Sequence, residues 1–221
     1  MNAWPSFAAA LYHGLHVVTA ARVRSIDEGG MAALAGNRPV IIVANHQSHA
    51  DTPVIAMNVP RERRRHLRFL ASAARFGGPA RALGIRDRAE RWFLHGMAVH
   101  AYGAILVGDE HIGLGAVGVM VDAIAAGATM VIFPEGTRSR DGSLGSLRPG
   151  AAIAALESGA TLLPMRIDGT GDALPKSVRR VRWRPTVTVR VRAPITAVPG
   201  ETPEALTVRI AAALRPDGGV R

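Results

Sequence analysis

His46 and Asp51 stand five residues apart in Asn45-His46-Gln47-Ser48-His49-Ala50-Asp51. An imidazole takes up a proton near neutral pH. A carboxylate against one ring nitrogen sets its tautomer and leaves the other nitrogen for a substrate. The pair therefore reads as a general base with its orienting group and no protein nucleophile. Ser48 lies in the same stretch but lacks the Gly-x-Ser-x-Gly setting of a nucleophile elbow, so it reads as a loop hydrogen-bonder. His49 could join His46 and Asp51 around a metal, but no His-Glu-x-x-His pattern or further ligand cluster supports that, and no metal is expected.

Such a pair needs a firm support. It follows Val40-Ile41-Ile42-Val43-Ala44, an apolar run that reads as a strand after Pro39. Thr52-Pro53 marks the start of a helix over residues 52–59. A second polar island, Phe133-Pro134-Glu135-Gly136-Thr137-Arg138-Ser139-Arg140, follows another strand-like run, Thr129-Met130-Val131-Ile132. Loops at strand ends of α/β sheets converge on one crevice, so the two islands are expected to form one site.

Together the islands resemble the glycerolipid acyltransferase family, whose best-known members acylate lysophosphatidic acid. Asn45-His46, Ser48 and Asp51 match its histidine–four residues–aspartate signature, and Phe133 to Ser139 match its second motif. The likeness extends to Leu147-Arg148-Pro149-Gly150 and Leu162-Leu163-Pro164, and weakly to Val189 through Ile195. It implies O-acyl transfer from acyl-CoA or acyl carrier protein to a lysophospholipid hydroxyl, 1-acyl-glycerol-3-phosphate first, without a cofactor. It makes His46 and Asp51 catalytic. It gives Glu135, Gly136 and Arg138 to acceptor binding; beside them Thr137 is placed in the acceptor site, Arg148 is a second candidate phosphate clamp, and Asn45 and Ser48 are read as loop support. The residue reading leaves Glu135 a second role, anchoring Arg138 or the loop backbone.

Two positions depart from the family pattern. The lysine usual after the second strand is replaced by Ala71-Ser72-Ala73-Ala74-Arg75, with Arg75 the nearby cation. Asp109 stands where an arginine helps hold the acceptor's phosphate. This opens the alternative of a non-phosphate lipid, sugar or amino-lipid alcohol as acceptor. A rival of another class is a non-catalytic basic module that binds membranes.

The chain of 221 residues carries 27 basic and 17 acidic residues, formally +10, and Lys176 is the only lysine. Arginine keeps its charge and offers a planar fork to phosphate. The balance suits an anionic membrane, a phosphorylated substrate or nucleic acid. No nucleic-acid recognition motif accompanies it, and nucleic acid is not expected as a partner. Cysteine is absent, which excludes a thiolate nucleophile and a disulfide framework.

Length and pattern predict one α/β domain with a mixed, mostly parallel sheet flanked by helices. Residues 1–24 are expected to form an amphipathic helix, with Trp4, Phe7 and Leu11 toward lipid or toward the domain's own core, and Arg22 and Arg24 near headgroups. The acyltransferase domain is placed at 25–215 and a frayed tail at 216–221. This organisation implies peripheral attachment at the cytoplasmic face of the cell membrane. Arg61-Glu62-Arg63-Arg64-Arg65 reads as a solvated edge. Further strands are expected at 67–70, 103–107, 161–167 and 187–192, and helices at 92–102, 113–126, 151–156 and 204–214. Trp92, Phe93, Met97 and Val99 are candidates for core or an acyl groove.

Overall fold

The computed structural model describes residues 21–73, 95, 99, 103–108, 114–139, 141–173 and 184–217. Seven strands are β1 Arg22–Asp27, β2 Val40–Ala44, β3 Leu67–Ser72, β4 Ala104–Val107, β5 Thr129–Ile132, β6 Thr161–Asp168 and β7 Thr186–Val191. They form one sheet in the order β1-β7-β6-β2-β5-β3-β4. Every neighbouring pair is parallel except β6 with β7. The sheet is the mixed, mostly parallel one the pattern predicts. The helices are α1 Asp51–Asn58, α2 Arg61–Arg64, α3 Leu114–Ala125, α4 Gly150–Ser158, α5 Thr170–Ala173 and α6 Pro203–Leu214. Among the described residues no helix is long and apolar enough to cross a membrane.

β2 occupies the middle of the sheet, and all five of its residues are buried. A strand covered on both faces must be apolar throughout, which is why Val40 to Ala44 show no alternation. Val40, Ile42 and Ala44 pack on one face with Val54 and Ile55 of α1. Ile41 and Val43 pack on the other with Met120 of α3, Ala151 of α4 and Leu206 of α6. Each such buried Val or Ile contributes roughly 1.5–3 kcal/mol. This core fixes the height at which the chain leaves β2 and enters the His46 loop.

Three expectations are corrected. Arg22 and Arg24 do not end a helix; they lie in β1, an edge strand in parallel register with β7 from Arg22↔Thr186 to Asp27↔Val191. The tail is not loose from Pro216, because Asp217 pairs with Arg190 at 2.9 Å and with Arg192 at 2.5 Å. Finally, the basic run after Pro60 is a structural tie rather than a solvated edge alone. Arg63 is 8% exposed. It donates to Thr129 Oγ1 at 3.0 Å, Gly36 O at 2.6 Å and Arg38 O at 2.9 Å. Arg64 donates to Val59 O and Met57 O, both at 2.8 Å, closing the end of α1.

Burial pulls the Arg63 guanidinium below its ordinary range, and its three acceptors keep the buried side chain hydrogen-bonded. Arg63→Ala strands Thr129 Oγ1 and two carbonyls at the start of β5 and β2. A hydrogen bond to a charged group contributes about 1.5–3 kcal/mol. A domain of this size loses about 2–4 °C of Tm per kcal/mol. We expect a clear fall in Tm, only partly restored by Arg63→Lys, whose single nitrogen replaces the two spaced guanidinium nitrogens that reach these acceptors. Scanning calorimetry of the three proteins checks this; an unchanged Tm in Arg63→Ala would return the residue to the solvated edge.

Candidate active site

β5 and β6 flank β2 and run parallel to it, so the C-terminal ends of all three emerge together. The His46 loop follows β2, the Phe133 loop follows β5, and Gly169 with α5 follows β6. Asn45 extends the β2–β6 ladder by its side chain. Its amide donates to Ile167 O and accepts from Ile167 N–H, each at 2.7 Å. The loop therefore begins from a residue clamped on the neighbouring strand.

His46 Nδ1 lies 2.8 Å from Asp51 Oδ2. A carboxylate only accepts, so Nδ1 carries a proton, and in the neutral ring Nε2 is left with the lone pair. The same Oδ2 accepts from the N–H groups of Gln47 at 2.7 Å and Ser48 at 2.8 Å. Oδ1 accepts from the hydroxyl of Thr170 at 2.5 Å. Asp51 is fully buried, whereas the His46 side chain is 18% exposed. Phe133 stacks on the imidazole at 4.0 Å between centroids and 17° between planes, fixing the ring from the β5 side. Ser48 Oγ accepts from Ala50 N–H at 3.1 Å, tightening the turn into α1.

The second island is bonded to the first through backbone. Glu135 Oε1 accepts from His46 N–H at 2.8 Å, and Oε2 from Gly145 N–H at 2.9 Å. Ser139 N–H donates to His46 O at 2.7 Å. Glu135 is buried and holds two loops together, the anchoring role the sequence left open beside acceptor binding. Gly136 adopts φ +68°, a left-handed conformation. A Cβ there would stand 3.1 Å from Arg148 Cζ and Nε, so the glycine leaves room for that guanidinium.

A cleft of about 500 Å³ opens on this loop, lined by Glu135, Thr137, Arg138, Ser139, Asp141, Ser143, Gly145, Ser146, Leu147 and Arg148. His46 does not line it. The connection runs through Glu135 and Ser139, which line the cleft and hold the His46 backbone. The hydroxyl and N–H of Ser143, with the hydroxyl of Ser139, hold the Asp141 carboxyl down at about 2. This stabilisation of the turn is complete above the ordinary carboxyl range and is lost as pH falls through about 2.

Of the residues expected in the site, His46, Asp51, Asn45 and Ser48 form one hydrogen-bonded loop. Thr137, Arg138 and Arg148 line the cleft beside it. Arg75, Trp92, Phe93, Met97 and Asp109 lie outside the described residues. The sequence reading missed Thr170 and Gln47. Gln47 donates its backbone N–H to Asp51 and its side-chain amide to Gly142 O at 3.4 Å, joining the two islands again. Thr170 stands 119 residues from Asp51 in a stretch that reads only as a Gly/Pro-rich loop, so no local signal marks it.

A family model described as Acyltransferase matches residues 12–168. A chloroplastic 1-acyl-sn-glycerol-3-phosphate acyltransferase of Arabidopsis thaliana is 36% identical over 75 residues, 34% of this chain and 21% of the relative. Another, from Chlamydomonas reinhardtii, is 27% identical over 141 residues, 63% of this chain and 37% of the relative. The chain thus spans well under half the length of these relatives. The crystal structure of the 1-acyl-sn-glycerophosphate acyltransferase from Thermotoga maritima shares the fold, with TM-score 0.61 and 24% identity over 89% of this chain and 70% of that one.

Proposed function

The chain belongs to the Acyltransferase family, and from that premise we propose that it moves a fatty acyl group from acyl-CoA or acyl carrier protein to the hydroxyl of a lysophospholipid, 1-acyl-glycerol-3-phosphate being the favoured acceptor. The observation that carries this reading is the Nδ1–Asp51 bond at 2.8 Å, which leaves Nε2 as the ring's base. The acceptor hydroxyl oxygen bonds to the thioester carbonyl carbon while its proton passes to Nε2. Collapse of the tetrahedral adduct breaks the carbon–sulfur bond, and the departing thiolate takes the proton back from Nε2. Asp51 favours the imidazolium that exists between the two transfers. General-base assistance of this kind is usually worth about 10²–10⁴-fold.

Arg138 and Arg148 on the cleft supply charge for a phosphate headgroup, and the hydroxyls of Thr137 and Ser146 supply donors. The Arabidopsis and Chlamydomonas relatives are named for the same acceptor. The formal charge of +10, carried almost wholly by arginine, supports work at a membrane face, where anionic lipid attracts arginine.

Incubating the full chain with labelled acyl-CoA, acyl carrier protein loaded with the same chain, and a panel of acceptors tests the proposal. We expect labelled phosphatidic acid from the phosphate acceptor and less product from neutral lysolipids and sugars. Product from a neutral alcohol alone would make the Asp109 departure decisive and replace the acceptor. No product with any pair, while the protein still sediments with anionic vesicles, would favour the non-catalytic membrane module.

A further inference from the structure

We infer that Thr170 is a positioning residue for the His46 base, acting through Asp51; the inference rests on the proposed acyl transfer. Asp51 has two oxygens with different duties. Oδ2 serves His46 Nδ1 and two backbone N–H groups of its own loop. Those three donors all come from residues 46–48, so they fix one oxygen but leave the plane of the carboxylate free to turn about it. Oδ1 is held from a separate part of the fold, by Thr170 Oγ1 at 2.5 Å. Asp51 and Thr170 are both wholly buried, so no water competes for that oxygen. The hydroxyl therefore sets the direction in which Oδ2 faces the imidazole.

The support behind Thr170 is rigid. Gly169 has φ +89°, and a Cβ there would lie 2.1 Å from Thr186 O, so only glycine lets the chain turn this close to β7. Asp168, just before it, accepts from Arg166 Nε at 2.9 Å and Nη2 at 2.6 Å. Arg166 Nη1 in turn holds Leu214 O at the end of α6 at 2.9 Å. Ile167 is clamped by Asn45. The threonine is thus carried on a strand end fixed from both sides, suited to hold a carboxylate to a fraction of an ångström.

Thr170→Val keeps the shape and removes the hydroxyl; Thr170→Ser keeps the hydroxyl and removes a methyl. Because a misplaced base costs up to about 10²-fold, Thr170→Val is expected to lower kcat roughly tenfold or more, with KM for both substrates unchanged. Thr170→Ser is expected to restore most of kcat. In ¹⁵N-labelled protein, His46 should show the Nδ1–H tautomer alone in the parent and a mixture of both tautomers in Thr170→Val. Thr170→Ala carries the same test should Thr170→Val not fold. A parent-like tautomer and kcat in the folded valine or alanine variant would overturn the inference. So would equal damage from serine and valine, which would make the role one of packing. A parent without acyl transfer would instead overturn the functional reading, while the tautomer measurement still decides whether Thr170 orients the pair.

Discussion

His46→Ala is expected to lose acyl transfer by at least the roughly 10²–10⁴-fold that a positioned base supplies, while remaining folded. The loop does not depend on the imidazole. Asp51 keeps the N–H groups of Gln47 and Ser48 and the hydroxyl of Thr170. Glu135 keeps its bond to the backbone N–H of residue 46, which any side chain but proline retains. What is lost is the Nδ1–H bond to Asp51 and the stacking on Phe133, the latter an aromatic contact of about 0.5–1.5 kcal/mol. Turnover and thermal melting are to be measured on one preparation. A dead enzyme with a Tm a few degrees below the parent fits the assignment. Activity at the parent's level would move the base elsewhere and leave the His46–Asp51 pair as a structural tie.

The pair was legible because its signal is local. The apolar run of β2, the His46-to-Asp51 spacing and the helix start at Thr52-Pro53 all lie within 15 residues, and the chain folds them together without outside help. The second island was legible for the same reason, and parallel pairing of β2 with β5 brings both to one sheet edge. β1 was not legible. Of its six residues only Val23 is even half-buried, so it has no apolar pattern to read, and its strand character comes from the β7 ladder. Arg63 defeats pattern reading in the opposite way. Its charge and neighbours mark it as solvated, yet acceptors 25, 27 and 66 residues away bury it. Glu135 had two readings in sequence; the N–H groups that occupy it come from His46 and Gly145, and that geometry exists only in the fold.

Asp51→Asn separates the charge of the aspartate from its architecture. An amide offers one acceptor oxygen and one donor nitrogen. Three donors converge on the Oδ2 position, namely His46 Nδ1–H and the N–H groups of Gln47 and Ser48. The asparagine oxygen must therefore take that place, and its nitrogen must face Thr170, whose hydroxyl rotates from donating to accepting. The loop, the tautomer and the direction of Nε2 all survive. Only the negative charge that favours the imidazolium is gone. The expected result is a loss in kcat of roughly 10²–10⁴-fold, with KM near the parent's and almost no change in Tm. Asp51→Ala should be equally inactive but less stable, because the buried N–H groups of Gln47 and Ser48 lose their acceptor, at about 1–3 kcal/mol each. Side-by-side kinetics and melting of the two variants make the comparison. Asparagine as active as the parent would show that the charge plays no part in proton transfer and reduce Asp51 to a scaffold for the loop.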